Sequence, residues 1–195
     1  MKKFGLLGLL LLNACGGGGG GGAVGSVSNF IQNDLSNLSG SQSIISSYST
    51  LLNNFNTTVS SGNFSSISAV LTQPNQNDIN KADELLSMLA QAETLWNETE
   101  DLISSQSDSN KYTIYNSNSY KEAYAAILYL RNHVKPIIQK VYYGQSVTLA
   151  EFDTIAKEER AQELITEEKS SSATSYVENK IIKKTELVTT DTNNI

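Results

Sequence analysis

The chain has 195 residues, of which 20 are acidic and 14 are basic, so its net charge is −6. Nucleic-acid binding depends on clustered Lys and Arg that neutralise phosphates, and this acidic composition argues against a nucleic-acid partner. The chain has a single cysteine and a single histidine, which excludes an internal disulfide and leaves too few ligands for a His-rich metal site or a catalytic triad. The sequence therefore predicts no cofactor, no metal site and no catalytic residue.

The N-terminal segment is unlike the rest of the chain. Lys2 and Lys3 precede a short apolar run, Gly5 to Leu12, and a basic start followed by such a run is typical of a secretory signal. The run is too short to cross a bilayer of about 30 Å as a helix. The residues that follow, Leu12-Asn13-Ala14-Cys15, resemble the lipobox of bacterial lipoproteins, with Asn13 where Ala, Ser or Thr is usual.

The resemblance implies that residues 1–14 are a signal peptide and that Cys15, once released by cleavage, carries a diacylglyceryl thioether and an amide-linked acyl chain. Two or more acyl chains anchor a protein stably, since each buried methylene contributes about 0.8 kcal/mol. Gly16 follows the cysteine at the position where Asp would favour retention in the inner membrane, so the resemblance implies a bacterial outer membrane. It does not distinguish the periplasmic side of that membrane from the exterior. Loss of residues 1–14 leaves 12 basic and 20 acidic side chains, so we expect the lipid, and not charge, to hold it there.

Seven consecutive glycines, Gly16 to Gly22, follow the cysteine. Polyglycine buries no side chain and loses much backbone freedom on ordering. We therefore expect residues 15–25 to form a disordered tether with a root-mean-square span of roughly 17–20 Å. The rest of the chain is predicted to be one folded domain at 26–185, followed by a disordered tail at 186–195.

The folded domain is predicted to be an all-α antiparallel bundle of about four amphipathic helices. Apolar residues recur at spacings of three and four almost throughout, which is typical of helices that bury one face. A first helix is expected over 27–59, with a kink at Gly40. A second is expected over about 79–105, capped by Asp78.

The second half of the domain is predicted to contain a long loop and two further helices. Residues 106–119 are polar and aperiodic, which indicates the loop. The third helix is expected over 120–143, bent by Pro136 and ended by Gly144. The fourth begins at a capping box, Thr148–Glu151, and is expected to run to about residue 184.

Tyrosines are concentrated in one part of the sequence, since seven of the nine lie between residues 112 and 143. Tyrosine offers a large amphipathic contact area and is common at interfaces. Tyr112, Tyr115 and Tyr120 lie in or beside the predicted loop, where we expect the least burial, and they form the candidate partner surface. The alternative is that Tyr124 belongs to the core while the other tyrosines edge the bundle.

These features favour a membrane-anchored, non-enzymatic binding or scaffold module over an enzyme. Its partner would be an envelope protein or a glycan. One alternative is an envelope hydrolase that uses a carboxylate pair such as Glu98 and Asp101, which would require a cleft. Another is a homo-oligomer formed through the heptad stripe of the first helix. Trp96 is expected in the core and His133 at the solvated or core-facing edge of its helix.

Overall fold

The computed structural model describes residues 22–60 and 73–181. Within these ranges the chain is all-α, with no β-strand, and its helices pack into a bundle as predicted. The helices are α1 (Ala23–Asn33), α2 (Gln42–Ser60), α3 (Gln76–Ser104), α4 (Asp108–Asn116), α5 (Asn118–Tyr129), α6 (Lys135–Tyr142), α7 (Leu149–Ala156), α8 (Glu158–Glu168) and α9 (174–181). The expected signal peptide, Cys15 and the expected tail at 186–195 lie outside the described residues.

The predicted first helix is divided into α1 and α2. A 3₁₀ turn, Leu35–Asn37, follows α1, and Gly40 then adopts a φ of +86°. This left-handed conformation costs a residue with a Cβ about 1–2 kcal/mol, so glycine is the residue that fits there. Gly40 therefore breaks the helix where a kink was predicted. The helical part also begins at Ala23, three residues before the expected boundary, and the Ala23 side chain is fully buried.

The second predicted helix is confirmed by α3, but its cap is different from the one expected. Asn75 is the N-cap, and Asp78 is the third helical residue, whose carboxylate accepts from the backbone N–H of Asn75 at 2.9 Å. The prediction of a loop at 106–119 is wrong, because this segment contains α4, with Ser107 as its N-cap. Only Ile114 and Tyr115 of α4 are buried, too few for a helical stripe to show in the sequence.

Helix α5 lies at the centre of the bundle. It packs against α1, α4 and α8, while α3 packs against α2 and α6. The α5 side chains of Ala123, Ala125 and Ala126 are fully buried, and small side chains at a contact let helix axes approach closely. The core is built around this helix.

Among the described residues, two π-helical turns join helices end to end. Leu130–Val134 connects α5 to α6, and Lys169–Ala173 connects α8 to the helical residues 174–181. Pro136 is the second residue of α6, one residue after the first turn. Proline has no N–H to donate and its ring crowds the carbonyl four residues earlier, which the wider π turn accommodates. The third predicted helix ends before Gly144, which has a φ of +68° as its position after a helix predicts.

The capping box predicted at Thr148–Glu151 is present at the start of α7. The fourth helix is nevertheless not continuous, because Lys157 has an extended backbone between α7 and α8. The apolar side chains Phe152 and Ile155 of α7 and Leu164 and Ile165 of α8 are buried. Across 22–60 and 73–181, none of these helices combines the length and apolar character that crossing a bilayer demands.

Candidate functional site

The carboxylate of Glu100, on α3, accepts hydrogen bonds from tyrosines of other helices. Tyr176 donates to its Oε2 at 3.0 Å, Tyr115 donates to the same oxygen at 3.4 Å, and Tyr120 donates to Oε1. Lys180 Nζ lies 3.6 Å from Oε2, and the Glu100 side chain is 13% exposed. We call these five residues the Glu100 cluster. Through it, one carboxylate joins α3 to α4, α5 and α9.

The rings of the cluster continue into the aromatic core. Trp96 stacks on Tyr124 with ring centroids 5.5 Å apart and planes 13° from parallel, and the Tyr176 ring lies 4.6 Å from Tyr124. The rings of Phe30, on α1, and Tyr120 form a T-shaped pair with centroids 5.7 Å apart. Aromatic pairs at these separations contribute about 0.5–1.5 kcal/mol each beyond their burial. Trp96 is buried, as predicted. Its contacts through Tyr124 therefore connect the Glu100 cluster to the core of the bundle.

The surroundings of these tyrosines favour their protonated forms. Burial raises the pKa of Tyr120 far above its usual range, and the negative charge of Glu100 raises it further. The same two causes, burial first, raise the pKa of Tyr115 and of Tyr176. All three hydroxyls thus remain donors at neutral pH, so phenols take the place of water around the Glu100 carboxylate.

The expected partner surface of Tyr112, Tyr115 and Tyr120 does not form as an exposed patch. Tyr115 and Tyr120 are only 6% and 0% exposed, whereas Tyr112 is 61% exposed. The expectation is wrong for the two buried residues because α4 replaces the predicted loop and brings their hydroxyls to Glu100. Only Tyr112 of the three is available to a partner.

The three carboxylates of residues 98–101, where a catalytic pair was considered, differ in their exposure. Glu98 and Asp101 are exposed on α3, and Glu100, which lies between them, is the carboxylate that meets other polar groups. No pattern in the sequence distinguishes Glu100, because Glu98 and Asp101 beside it are also carboxylates. Its distinction comes from tyrosines that lie 15 to 76 residues further along the chain.

No known protein family, curated protein or solved structure matches this chain. Within 22–60 and 73–181, no group of three His, Cys, Asp or Glu side chains is placed to hold a metal ion. The residues themselves must therefore indicate the function.

His133 lies at the edge of the bundle, as predicted, with 31% of its side chain exposed. Its Nε2 is 3.2 Å from Glu168 Oε1, and Asn132 donates to the same oxygen at 2.9 Å. Burial acts to raise the pKa of Glu168, but hydrogen bonds from Asn132, Ser172 and His133 outweigh it, so the pKa is lowered. Glu168, at the end of α8, thereby connects α8 to the first π turn through hydrogen bonds.

In the described part of the chain, three of the four large apolar side chains that are exposed lie where α6 ends and α7 begins. Tyr143 is 68% exposed, Leu149 is 62% exposed and Tyr142 is 37% exposed, and the two tyrosine rings meet at 5.1 Å. An ion pair between Lys140 and Glu151 holds the start of α7 beside the end of α6. We call Tyr142, Tyr143 and Leu149 the Tyr142–Tyr143 patch.

Proposed function

We propose that the protein is a lipoprotein anchored to a bacterial outer membrane through Cys15, and that its helical body is a non-enzymatic binding or scaffold module. The observation that carries this proposal is the direction of α1. The helix starts eight residues after Cys15, and its N-terminus faces the end of the bundle that bears the Tyr142–Tyr143 patch.

The orientation of α1 follows from contacts at its two ends. Asp34, just after α1, accepts hydrogen bonds from Ser117 and Ser119 at the start of α5. At the opposite end, Ala23 lines a small apolar cavity together with Leu130, directly after α5. The helices α1 and α5 are therefore antiparallel, and α6 continues α5 toward the Tyr142–Tyr143 patch.

The distances are compatible with an anchor at this end. Tyr142 lies twelve residues beyond Leu130, which at about 1.5 Å per residue is roughly 18 Å along the helix. Eight residues can span at most about 29 Å between Cys15 and Ala23, whatever their conformation. A membrane that holds the lipid can therefore also touch the patch. Tyrosines suit the boundary between membrane and water, because their rings are apolar and their hydroxyls form hydrogen bonds with water.

The end of the bundle away from the proposed anchor would then face the partner. It carries the start of α5, the helix α4 and the exposed Tyr112, and it includes the Glu100 cluster. From Asn118 to Tyr142 the helices α5 and α6 extend roughly 36 Å, so a partner at Tyr112 would lie well away from the lipid. This arrangement suits a module that presents one end to an envelope protein or glycan.

Mass spectrometry of the mature N-terminus tests the anchor. We expect an acylated Cys15, and Cys15→Ala should abolish both acylation and cleavage before residue 15. An unmodified cysteine, or a mature chain that starts elsewhere, would refute the lipoprotein proposal.

Crosslinking and pull-down from membranes test the binding module. We expect Tyr112→Ser to weaken recovery of the partner, because aromatic anchors at interfaces typically contribute 2 kcal/mol or more, roughly a thirtyfold change in affinity. Tyr143→Ser is the matched control, since Tyr143 is equally exposed but lies at the proposed membrane end. Equal recovery by both variants would contradict the assignment of Tyr112 to the partner surface.

A further inference from the structure

The ammonium group of Lys180 lies over two aromatic rings. Its Nζ is 5.2 Å from the ring centroid of Tyr176 and 5.8 Å from that of Tyr115. A cation within about 6 Å of an aromatic face is attracted by the negative potential of the ring. The same Nζ is 3.6 Å from Glu100 Oε2. Two ring faces and a carboxylate therefore surround one ammonium group.

The carboxylate of this arrangement does not depend on Lys180 for its position. Glu100 is held by the hydroxyls of Tyr115, Tyr120 and Tyr176, and these phenols remain donors because burial, followed by the charge of Glu100, raises their pKa values. A largely buried carboxylate is unfavourable without a positive counter-charge. The cluster would thus keep its shape and its attraction for a cation if the lysine left.

Lys180 is also placed so that it can leave. Its side chain is 38% exposed, compared with 13% for Glu100. The rings below it are less accessible, since Tyr115 is buried and Tyr176 is half-buried. The place of the ammonium group is consequently the side of the cluster that opens to solvent.

We propose that Glu100, Tyr115 and Tyr176 form a binding site for small alkylammonium ions, and that Lys180 is its displaceable internal ligand. An external ammonium ion would compete with Lys180 for the carboxylate and the two ring faces. Because Lys180 belongs to α9, occupation by an external ion would remove one of the contacts that hold α9 on α3. Binding at this site is thereby coupled to the attachment of the C-terminal helix.

Titration of the full chain carrying Lys180→Ala with propylammonium chloride tests the proposal. The alanine keeps Cβ, and propylammonium supplies the three carbons and the ammonium group that the substitution removes. We expect saturable binding that is roughly tenfold tighter than to the unchanged protein, in which the tethered lysine competes at a high effective concentration. Calorimetry or the shift of tyrosine ring resonances in NMR measures it.

The controls separate a specific site from general binding. The neutral isostere 1-propanol should not bind, because it lacks the charge that the rings and Glu100 recognise. Lys169→Ala is the matched variant, since Lys169 is a lysine paired with a different acid, Glu122, and its loss should not create propylammonium binding. Adding Glu100→Gln to Lys180→Ala should abolish the binding gained.

Three results would overturn the proposal: no saturable binding to Lys180→Ala, equal binding of 1-propanol, or binding unaffected by Glu100→Gln. Circular dichroism of each variant establishes that the helices are intact. If the double variant does not fold, the ring resonances of Tyr115 and Tyr176 in Lys180→Ala decide the question. They should shift with propylammonium, and their failure to do so would refute the site.

Discussion

The hydroxyl of Tyr176 donates a hydrogen bond of 3.0 Å to Glu100, although the two residues are 76 positions apart in the chain. The bond joins α9 to α3 and acts together with the ion pair between Lys180 and the same carboxylate. The C-terminal helix is thus attached to the bundle by polar contacts as well as by the buried Val177. Stability measurements on single tyrosines can separate these contributions.

Tyr176→Phe is expected to lower the free energy of unfolding by roughly 1.5–3 kcal/mol, the usual contribution of a hydrogen bond to a charged group. Tyr112→Phe is the matched control, because Tyr112 is 61% exposed and such substitutions usually stay within about 0.5 kcal/mol. Urea denaturation followed by circular dichroism measures both. Equal effects of the two substitutions would show that the Glu100 contact contributes nothing.

Leu85→Ala is expected to lower the free energy of unfolding by about 2–5 kcal/mol, because it leaves a cavity in the core. Leu85 is 1% exposed, whereas Leu149 is 62% exposed. Leu149→Ala should therefore change the free energy of unfolding by about 0.5 kcal/mol or less. Thermal unfolding of the two variants provides the comparison, and a small effect at Leu85 would contradict the described core.

Alkaline pH is expected to weaken the bundle through Tyr48. Burial raises the pKa of Tyr48 from 10.0 to about 12, and its hydroxyl lies 3.3 Å from Thr99 Oγ1. A pKa raised by folding means that the stabilisation is complete below about pH 10 and is lost as pH rises toward 12. The free energy of unfolding should fall less steeply over this range in Tyr48→Phe. Parallel slopes for both proteins would exclude this role of Tyr48.

Acid is expected to weaken the capping box at the start of α7. Hydrogen bonds from Lys140, and then from the backbone of Thr148, lower the pKa of Glu151 from 4.5 to about 2. A lowered pKa contributes stability that is present above about pH 4.5 and is lost as pH falls toward 2. Glu151→Gln should therefore be less stable than the unchanged protein at pH 7, and the difference should shrink near pH 3.

Removal of the cap itself provides an independent measurement at the same helix. Thr148→Ala is expected to lower the free energy of unfolding by about 1 kcal/mol at neutral pH, because the N–H of Glu151 loses its acceptor. Chemical denaturation measures it. If Thr148→Ala leaves stability unchanged, the capping box does not stabilise the fold.

The features that the sequence predicted well depend on neighbouring residues. The apolar period identifies α3, the Thr148–Glu151 pair identifies the start of α7, and Gly144 identifies the end of α6. Each of these signals lies within a few residues of the feature it specifies. Local patterns of this kind are sufficient for helices that bury a regular stripe.

The features that were missed depend on contacts between distant residues. The helix α4 buries Ile114 and Tyr115 alone, so its sequence resembles a loop until α3 is beside it. Glu100 cannot be distinguished from Glu98 by composition, and its role arises only when α4, α5 and α9 converge on it. Two of the three predicted tyrosines, Tyr115 and Tyr120, therefore lie inside the bundle against Glu100, whereas Tyr112 is exposed as predicted. Tyr176, which completes the cluster, was not predicted.

The π turn at Leu130–Val134 has a consequence for the length of the chain. Its hydrogen-bonded rings contain one residue more than those of an α-helix, so α5 and α6 together hold one residue in excess of a regular helix. Loss of a residue from this turn would restore regular winding and leave the buried faces of both helices in place, although the Pro136 ring would then crowd the carbonyl four residues earlier. A deletion within α3 would instead rotate everything beyond it by about 100°. A deletion of one residue within 130–134 would thus keep the buried side chains of α5 and α6 on the buried faces of these helices.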